Sequence, residues 1–214
     1  MYQRILAKLC LAYDAEVESR DKSPMASWKV EERAQFLAEL RTVGATSLIE
    51  IGSGPGRDGL FFQQSGLSVV CTDPSAAMVE RCRAKGLDAR QMDVLHLDFA
   101  PASFDAAYAL NSLLHVPRAD MPTALASVRE VLRPGGLFYM GVYGGTDGEG
   151  IYEGDHYEPK RFFSRYTDEG LQALARRFFT VVTFCRTELD GQGDIHHQGL
   201  ILRRATLERP APLR

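Results

Sequence analysis

Apolar residues along the chain change their spacing several times, and each change marks an element. In residues 1–19, Ile5, Leu6, Leu9 and Tyr13 recur on one face of a predicted helix, which Arg20-Asp-Lys-Ser-Pro24 breaks. A second helix is predicted over 28–43, with Val30, Leu37, Leu40 and Val43 inward and a turn at Gly44. Leu48, Ile49 and Ile51 form a short apolar run suited to a buried parallel strand. A helix carrying Leu60, Phe61 and Phe62 follows and ends near Gly66. Strands are then predicted at 67–72, 87–91, 104–110 and 137–143, with helices at 76–85 and 121–132 between them. Residues 144–166, rich in glycine, acids and aromatics, are too long for a routine connection. A helix at 167–177, capped by Thr167 with Asp168 and Glu169 in its first turn, precedes two last strands at 178–187 and 197–204. The tail 210–214 is expected to fray. Strand–helix alternation predicts an α/β fold with a parallel sheet and right-handed crossovers.

The densest chemistry lies between the first buried strand and its helix, in Glu50-Ile-Gly52-Ser-Gly54-Pro-Gly56-Arg57. Glycines let the backbone turn sharply and approach a ligand, and the helix end offers free N–H groups. The dinucleotide fingerprint G-x-G-x-x-G needs glycine where Arg57 stands. Other polar residues fall at the ends of later strands: Asp73 after the second, Asp93 after the third, Asn111 after the fourth. Open α/β sheets bind ligands there, and Asp73 sits at the spacing from the glycine turn where a carboxylate accepts ribose hydroxyls.

Composition narrows the partners. A chain of 214 residues suits one domain, 1–214. A net charge of −3 gives no electrostatic footprint for nucleic acid or anionic membrane. No apolar run approaches the ~20 residues of a membrane span, and Arg4, Lys8 and Asp14 interrupt any signal-peptide core. The four cysteines lack C-x-x-C spacing and read as reduced thiols in a cytoplasmic protein, monomer or homodimer.

Over residues 45–143 the chain resembles class I S-adenosylmethionine-dependent methyltransferases of the small-molecule type. The resemblance rests on the Glu50-to-Gly56 motif, Asp73-Pro74-Ser75 with Met78, Met92-Asp93-Val94, Ser103-Phe-Asp105 and Leu132-Arg-Pro-Gly-Gly136. It implies a three-layer Rossmann-like sandwich whose seven-stranded sheet runs 3-2-1-4-5-7-6 with the last strand antiparallel. It also implies S-adenosylmethionine as cofactor: Gly52, Gly54 and Gly56 around the methionine portion, Asp73 on the ribose, and Asp93 on the adenine amino group. Met78 and Val94 would pack on the base, with Pro74, Ser75 and Met92 beside them, and Asn111 with Ser112 would meet the amino end. Glu50 would shape the loop. In this family the N-terminal helices, residues 1–44 here, close over the cofactor, so Tyr13 and Arg20 would reach its carboxylate, with Arg57 as an alternative.

The acceptor side is read by elimination. Asn111-Ser-Leu-Leu-His115 is neither the motif of DNA amino-methyltransferases nor the acidic strand end of metal-dependent catechol enzymes, and a Pro-Cys nucleophile is absent. Small-molecule O- or N-methylation without a metal remains. His115 is the candidate general base; the other reading is a hydrogen-bonded structural histidine. Residues 144–166 are a candidate substrate lid, with Tyr152, His156, Tyr157 and Arg161 against the acceptor and Phe163, Glu153 and Asp155 nearby. His196 and His197, adjacent on a strand, are expected to point to opposite faces and not to share a metal. Two rival functions stay open: a nicotinamide-dependent oxidoreductase, against which Arg57 and the lack of a Tyr-x-x-x-Lys pair weigh, and a non-catalytic cofactor-binding protein.

Overall fold

The structure, a computed structural model, describes residues 1–189, 191 and 193–206; the tail at 210–214 lies outside them. Three helices, α1 (Tyr2–Asp14), α2 (Val17–Lys22) and α3 (Ser27–Thr42), precede the sheet. Then come β1 (Ser47–Ile51), α4 (Arg57–Gln64), β2 (Ser68–Asp73), α5 (Ala76–Ala84), β3 (Asp88–Gln91) and β4 (Phe104–Leu110). A 3₁₀ turn (Leu113–His115) leads to α6 (Met121–Val131) and the long β5 (Leu132–Gly144). A ribbon of β6 (Gly148–Ile151) and β7 (Phe162–Arg165) interrupts the main sheet, before α7 (Asp168–Arg176), β8 (Thr180–Glu188) and β9 (His196–Arg203).

The main sheet runs β3-β2-β1-β4-β5-β9-β8. With the ribbon set aside this is the expected 3-2-1-4-5-7-6, and β9 alone runs antiparallel to its neighbours. Alternating side chains of each strand feed two cores. Ile49, Ile51, Ala107, Phe138 and Met140 pack under α6 and α7, whereas Leu48, Cys71, Tyr108 and Leu137 pack with Phe36, Leu40, Phe62 and Val79 of α3, α4 and α5. The result is helix, sheet, helix.

Two expectations need correction, and a third segment gains detail. The helix over 1–19 is two, because the chain leaves α1 after Asp14, whose carboxylate takes the Ser75 hydroxyl, and turns Arg20 onto Tyr157. Val30 and Val43 are 42% and 47% exposed. The stripe of α3 facing the sheet is Glu32, Phe36, Leu37 and Leu40, with Glu32 drawn in by His197 Nε2 at 3.0 Å, Thr187 at 3.2 Å and the Tyr139 hydroxyl. Third, the insertion carries the β6–β7 ribbon, paired Gly148 with Arg165 through Ile151 with Phe162. The Thr167 cap stands as expected, accepting from Gly170 N at 3.1 Å. His196 and His197 bond different groups, Asp168 at 2.7 Å and Glu32 at 3.0 Å.

Asp105, at the start of β4, fastens the opposite end of the sheet. Its Oδ2 accepts from Thr46 N, Thr46 Oγ1, Ser47 N and Ser47 Oγ at 2.9–3.0 Å, and Arg133 meets Oδ1. Burial works against its charge, but these donors prevail and hold the carboxyl at about 2. Asp105→Ala should cost about 2–4 kcal/mol of unfolding free energy at neutral pH. A carboxyl lowered on folding contributes above its unfolded value and loses that contribution toward the folded one. The wild-type advantage should therefore shrink between about pH 4 and pH 2. Urea titrations of both proteins across that range check this.

Candidate cofactor and acceptor site

Strand order reverses between β1 and β4, and the crevice opens there, beyond the C-terminal strand ends. Gly52 has φ +69°, and a Cβ on it would lie 2.2 Å from Ser112 Cβ; the Ser112 hydroxyl is itself held by Ile51 O at 2.7 Å. Glycine is required here by both conformation and space. Gly54 has φ +52° with nothing within 4 Å of its Cβ position, so the loop turns an open backbone face to the crevice. Gly56 instead backs onto Leu87 and Cys82 and ends the loop at α4. Gly52→Ala should destabilise the fold by at least about 2 kcal/mol and abolish binding in the crevice; thermal melting with calorimetry checks both effects.

The inner part of the crevice is a cavity of about 80 Å³ beneath α1. Arg20, Gly52, Gly54, Asp73, Pro74 and Met78 line it, as do Met92, Asp93, Val94, Asn111 and Ser112. Asp73 ends β2, and its two oxygens accept Gly54 N at 2.8 Å and Ser75 N at 2.9 Å, which leaves each with further acceptor capacity. Burial pushes its carboxyl up to about 6 against those two N–H bonds. Ser75 stands outside the cavity and caps α5 by accepting Met78 N at 3.1 Å. Asp93 Oδ1 accepts Leu95 N at 3.1 Å and the Tyr2 hydroxyl, so α1 docks on the carboxylate expected to read adenine. Its Oδ2 remains for a second donor. Tyr2 sits in an ordinary amphipathic helix, and its sequence carries no signal for this contact.

Two buried polar atoms lining this cavity have no hydrogen-bond partner among the described residues: Asn111 Oδ1 and Arg20 Nε. Asn111 has φ +54° at the tip of β4, and its Nδ2 is spent on the Tyr143 hydroxyl at 3.2 Å. A non-glycine residue held there, with its carbonyl oxygen unmet, marks a site built for a donor. An orphan acceptor and an orphan guanidinium N–H on residues of one cavity suit an ammonium and a carboxylate, the two ends of an α-amino acid. These residues fit S-adenosylmethionine.

A wider cleft of about 800 Å³ adjoins the cavity and shares Tyr13, Arg20 and His115 with it. Glu50 and Arg57 line only this outer part. Glu50 is buried, and desolvation together with Asp58 raises its carboxyl well above the usual range. Arg57 Nη1 donates to Ser23 O at 2.7 Å and Arg20 O at 3.4 Å, tying the glycine turn to α2. The ribbon forms the opposite wall. It docks through Ser164 Oγ on Val116 O at 2.7 Å and places Tyr152, His156, Tyr157 and Arg161 on the cleft. Arg161 meets Asp155 through two 2.8 Å bonds and lies 3.6 Å over the Tyr157 ring. Tyr157 in turn accepts from Arg20 at 3.0 Å.

At the junction of the two spaces, His115 is 4% exposed and both its ring nitrogens are engaged. Nδ1 lies 2.7 Å from Phe162 O, and Nε2 lies 2.8 Å from the Tyr13 hydroxyl. A carbonyl only accepts, so Nδ1 carries the proton and Nε2 accepts from Tyr13. Burial drives the imidazole down to about 3 against the Phe162 bond. Tyr13 is raised by burial, with Arg20 and Arg161 opposing; Arg161 Nη1 donates to its oxygen at 3.1 Å. Tyr13 and His115 both line cavity and cleft, and the Tyr13 hydroxyl is held between Arg161 and the imidazole. Sequence reasoning had placed Tyr13 on the cofactor carboxylate.

Comparison with known proteins accords with this geometry. Residues 48–136 match the family described as a methyltransferase domain. The O-methyltransferase resE of Aspergillus sclerotiorum is 31% identical over 107 residues, covering 46% of this chain and 40% of that protein. The chain thus spans less than half the length of this curated relative. Among solved structures, the 1,6-didemethyltoxoflavin-N1-methyltransferase of Burkholderia thailandensis, with bound 1,6-didemethyltoxoflavin and S-adenosylhomocysteine, superposes with TM-score 0.63 at 21% identity over 86% of this chain and 93% of its own. The N-methyltransferase NodS of Bradyrhizobium japonicum, in complex with S-adenosylhomocysteine, gives 0.66 at 15% identity over 90% and 98%. At such identities the superpositions speak for the fold, while the matched stretch holds the glycine turn, Asp73, Asp93, Asn111 and His115. By that stretch and this topology, the chain has the fold of the Rossmann-like methyltransferases, and residues 48–136 are similar to a methyltransferase domain, whose solved relatives hold S-adenosylhomocysteine.

Proposed function

We propose that the chain methylates an oxygen of a small-molecule acceptor. The observation that carries the reading is the pair of orphan atoms, Asn111 Oδ1 and Arg20 Nε, on residues that line one cavity with an Asp73 carboxylate that has acceptor capacity to spare. When bound, S-adenosylmethionine supplies a methyl group on a sulfonium sulfur, open to in-line attack. Asp73 holds the ribose, Asp93 the adenine amino group, and Asn111 with Arg20 the amino-acid end. The Tyr2 hydroxyl gives way or shares Asp93.

The acceptor lies in the outer cleft under the ribbon, its hydroxyl against Tyr13. As the new C–O bond forms and the C–S bond breaks, the acceptor proton passes to the Tyr13 oxygen and the Tyr13 proton to His115 Nε2. Arg161 stabilises charge on the phenol oxygen, and Phe162 O steadies the imidazolium through Nδ1–H. A histidine held near 3 is too weak to prepare an amine, yet an oxygen being methylated becomes a far stronger acid than that and yields its proton late. This preference for oxygen agrees with the O-methyltransferase relative. Alignment and exclusion of water supply the remainder of the catalysis.

The test supplies methyl-labelled S-adenosylmethionine with paired hydroxy and amino forms of the same acceptor skeletons. Label entering the hydroxy members supports the reading, and label confined to amino members replaces oxygen by nitrogen. Tight S-adenosylhomocysteine binding with no transfer to either set favours a non-catalytic binder.

A further inference from the structure

The charges of the outer cleft do not balance locally. Its carboxylates are accounted for: Asp155 by Arg161 and Asp58 by Arg33 at 2.7 Å, while Glu149 accepts Arg118 N at 2.7 Å, and burial and Asp58 press Glu50 toward its neutral form. Among its cations Arg161 is matched by Asp155, while Arg57 hydrogen-bonds backbone carbonyls and forms no ion pair among the described residues, with Asp58 offsetting its charge only at longer range. Lys29, in the first turns of α3, lines the cleft half-buried and makes no hydrogen bond or ion pair among the described residues; its ammonium lies 5.2 Å from the Trp28 ring centroid. Burial and the neighbouring Arg20 both press its pKa downward, and Asp58 only partly offsets them. A desolvated ammonium beside guanidinium groups, with no carboxylate in contact, costs free energy that an incoming anion would recover.

Arg20 lines both spaces and is committed to the cofactor's carboxylate. Lys29 and Arg57 line only the outer one. We propose that the acceptor carries an oxyanion, carboxylate or phosphate, bound by Lys29 with Arg57 across the cleft from the Tyr152–Tyr157 wall. The inference rests on the placement of cofactor and acceptor proposed above. It narrows the substrate class to anionic hydroxy compounds and gives Lys29 the role of selecting them.

Calorimetry tests this with benzoate, phenyl phosphate and benzamide as probes, each titrated into the chain saturated with S-adenosylhomocysteine. At least one of the two anions should bind ten times or more tighter than benzamide, and the stronger identifies the oxyanion. Lys29→Met should remove that advantage and Lys29→Arg retain it, while S-adenosylhomocysteine affinity stays within threefold of wild type. Equal binding of anions and benzamide, or anion binding indifferent to Lys29→Met, overturns the proposal and leaves the cofactor reading standing. Should S-adenosylhomocysteine itself fail to bind, the cofactor reading falls. The same titrations without it then decide whether Lys29 still selects anions.

Discussion

S-adenosylhomocysteine should bind Asp73→Ala about ten- to a hundredfold more weakly than wild type, since hydrogen bonds to a charged group contribute about 1.5–3 kcal/mol each. The effect should depend on pH in a defined direction. The Asp73 carboxyl is held at about 6 by burial, so it is largely ionised at pH 7 and largely protonated at pH 5. A ribose diol needs the ionised form as a double acceptor. Wild-type affinity should therefore drop roughly tenfold from pH 7 to pH 5, and Asp73→Ala should be flat over that range. The linkage to folding runs the other way from that of Asp105. A carboxyl raised on folding costs stability as pH climbs from its unfolded value toward 6, so the site is kept ionised at the expense of the fold. Unchanged affinity in the variant would remove Asp73 from the ribose.

Tyr13→Phe should lower turnover by about a hundred- to a thousandfold, the range of a lost proton-transfer step, with S-adenosylhomocysteine affinity within about threefold of wild type. Because Tyr13 and His115 act in series, adding His115→Gln to Tyr13→Phe should cost little more, whereas two independent roles would multiply. The pH profile separates this relay from the histidine acting directly. With the imidazole at about 3, kcat should be level between pH 5 and pH 8. A free histidine base would impose a rise near its ordinary value of about 6.5. A rise there, or an intact kcat in Tyr13→Phe, would return Tyr13 to a structural role.

Much of this site was legible in the residues because its parts are local. The glycine turn, Asp73 and Asp93 follow strand ends directly, and a strand end has one place to point in a doubly wound sheet. Their spacing alone set them around one crevice, and the structure lines the inner cavity with Gly52, Gly54, Asp73, Asp93 and Asn111 together. Contacts from α1, α2 and α3 were not legible. Tyr2 on Asp93 spans 91 positions, Tyr13 on His115 spans 102, and Arg20 on Tyr157 spans 137. No periodicity encodes which distant partner an exposed-looking tyrosine or arginine will meet. The inward face of α3 was misjudged for the same reason, since Glu32 is buried by His197 and not by its own hydropathy.

From the chain alone came the α/β class and the polar residues at the strand ends, consequences of short-range pattern and of the narrow set of ways parallel strands can be joined, while the strand order and the cofactor roles came from the resemblance to methyltransferases. Tertiary structure alone decided that Asn111 Oδ1 and Arg20 Nε stay unpaired among the described residues. It also decided that His115 is buried with both ring nitrogens engaged, and that Lys29 lines the cleft with no ion pair among the described residues. Such properties depend on desolvation and on groups brought together through space, and neither is written in the spacing of residues.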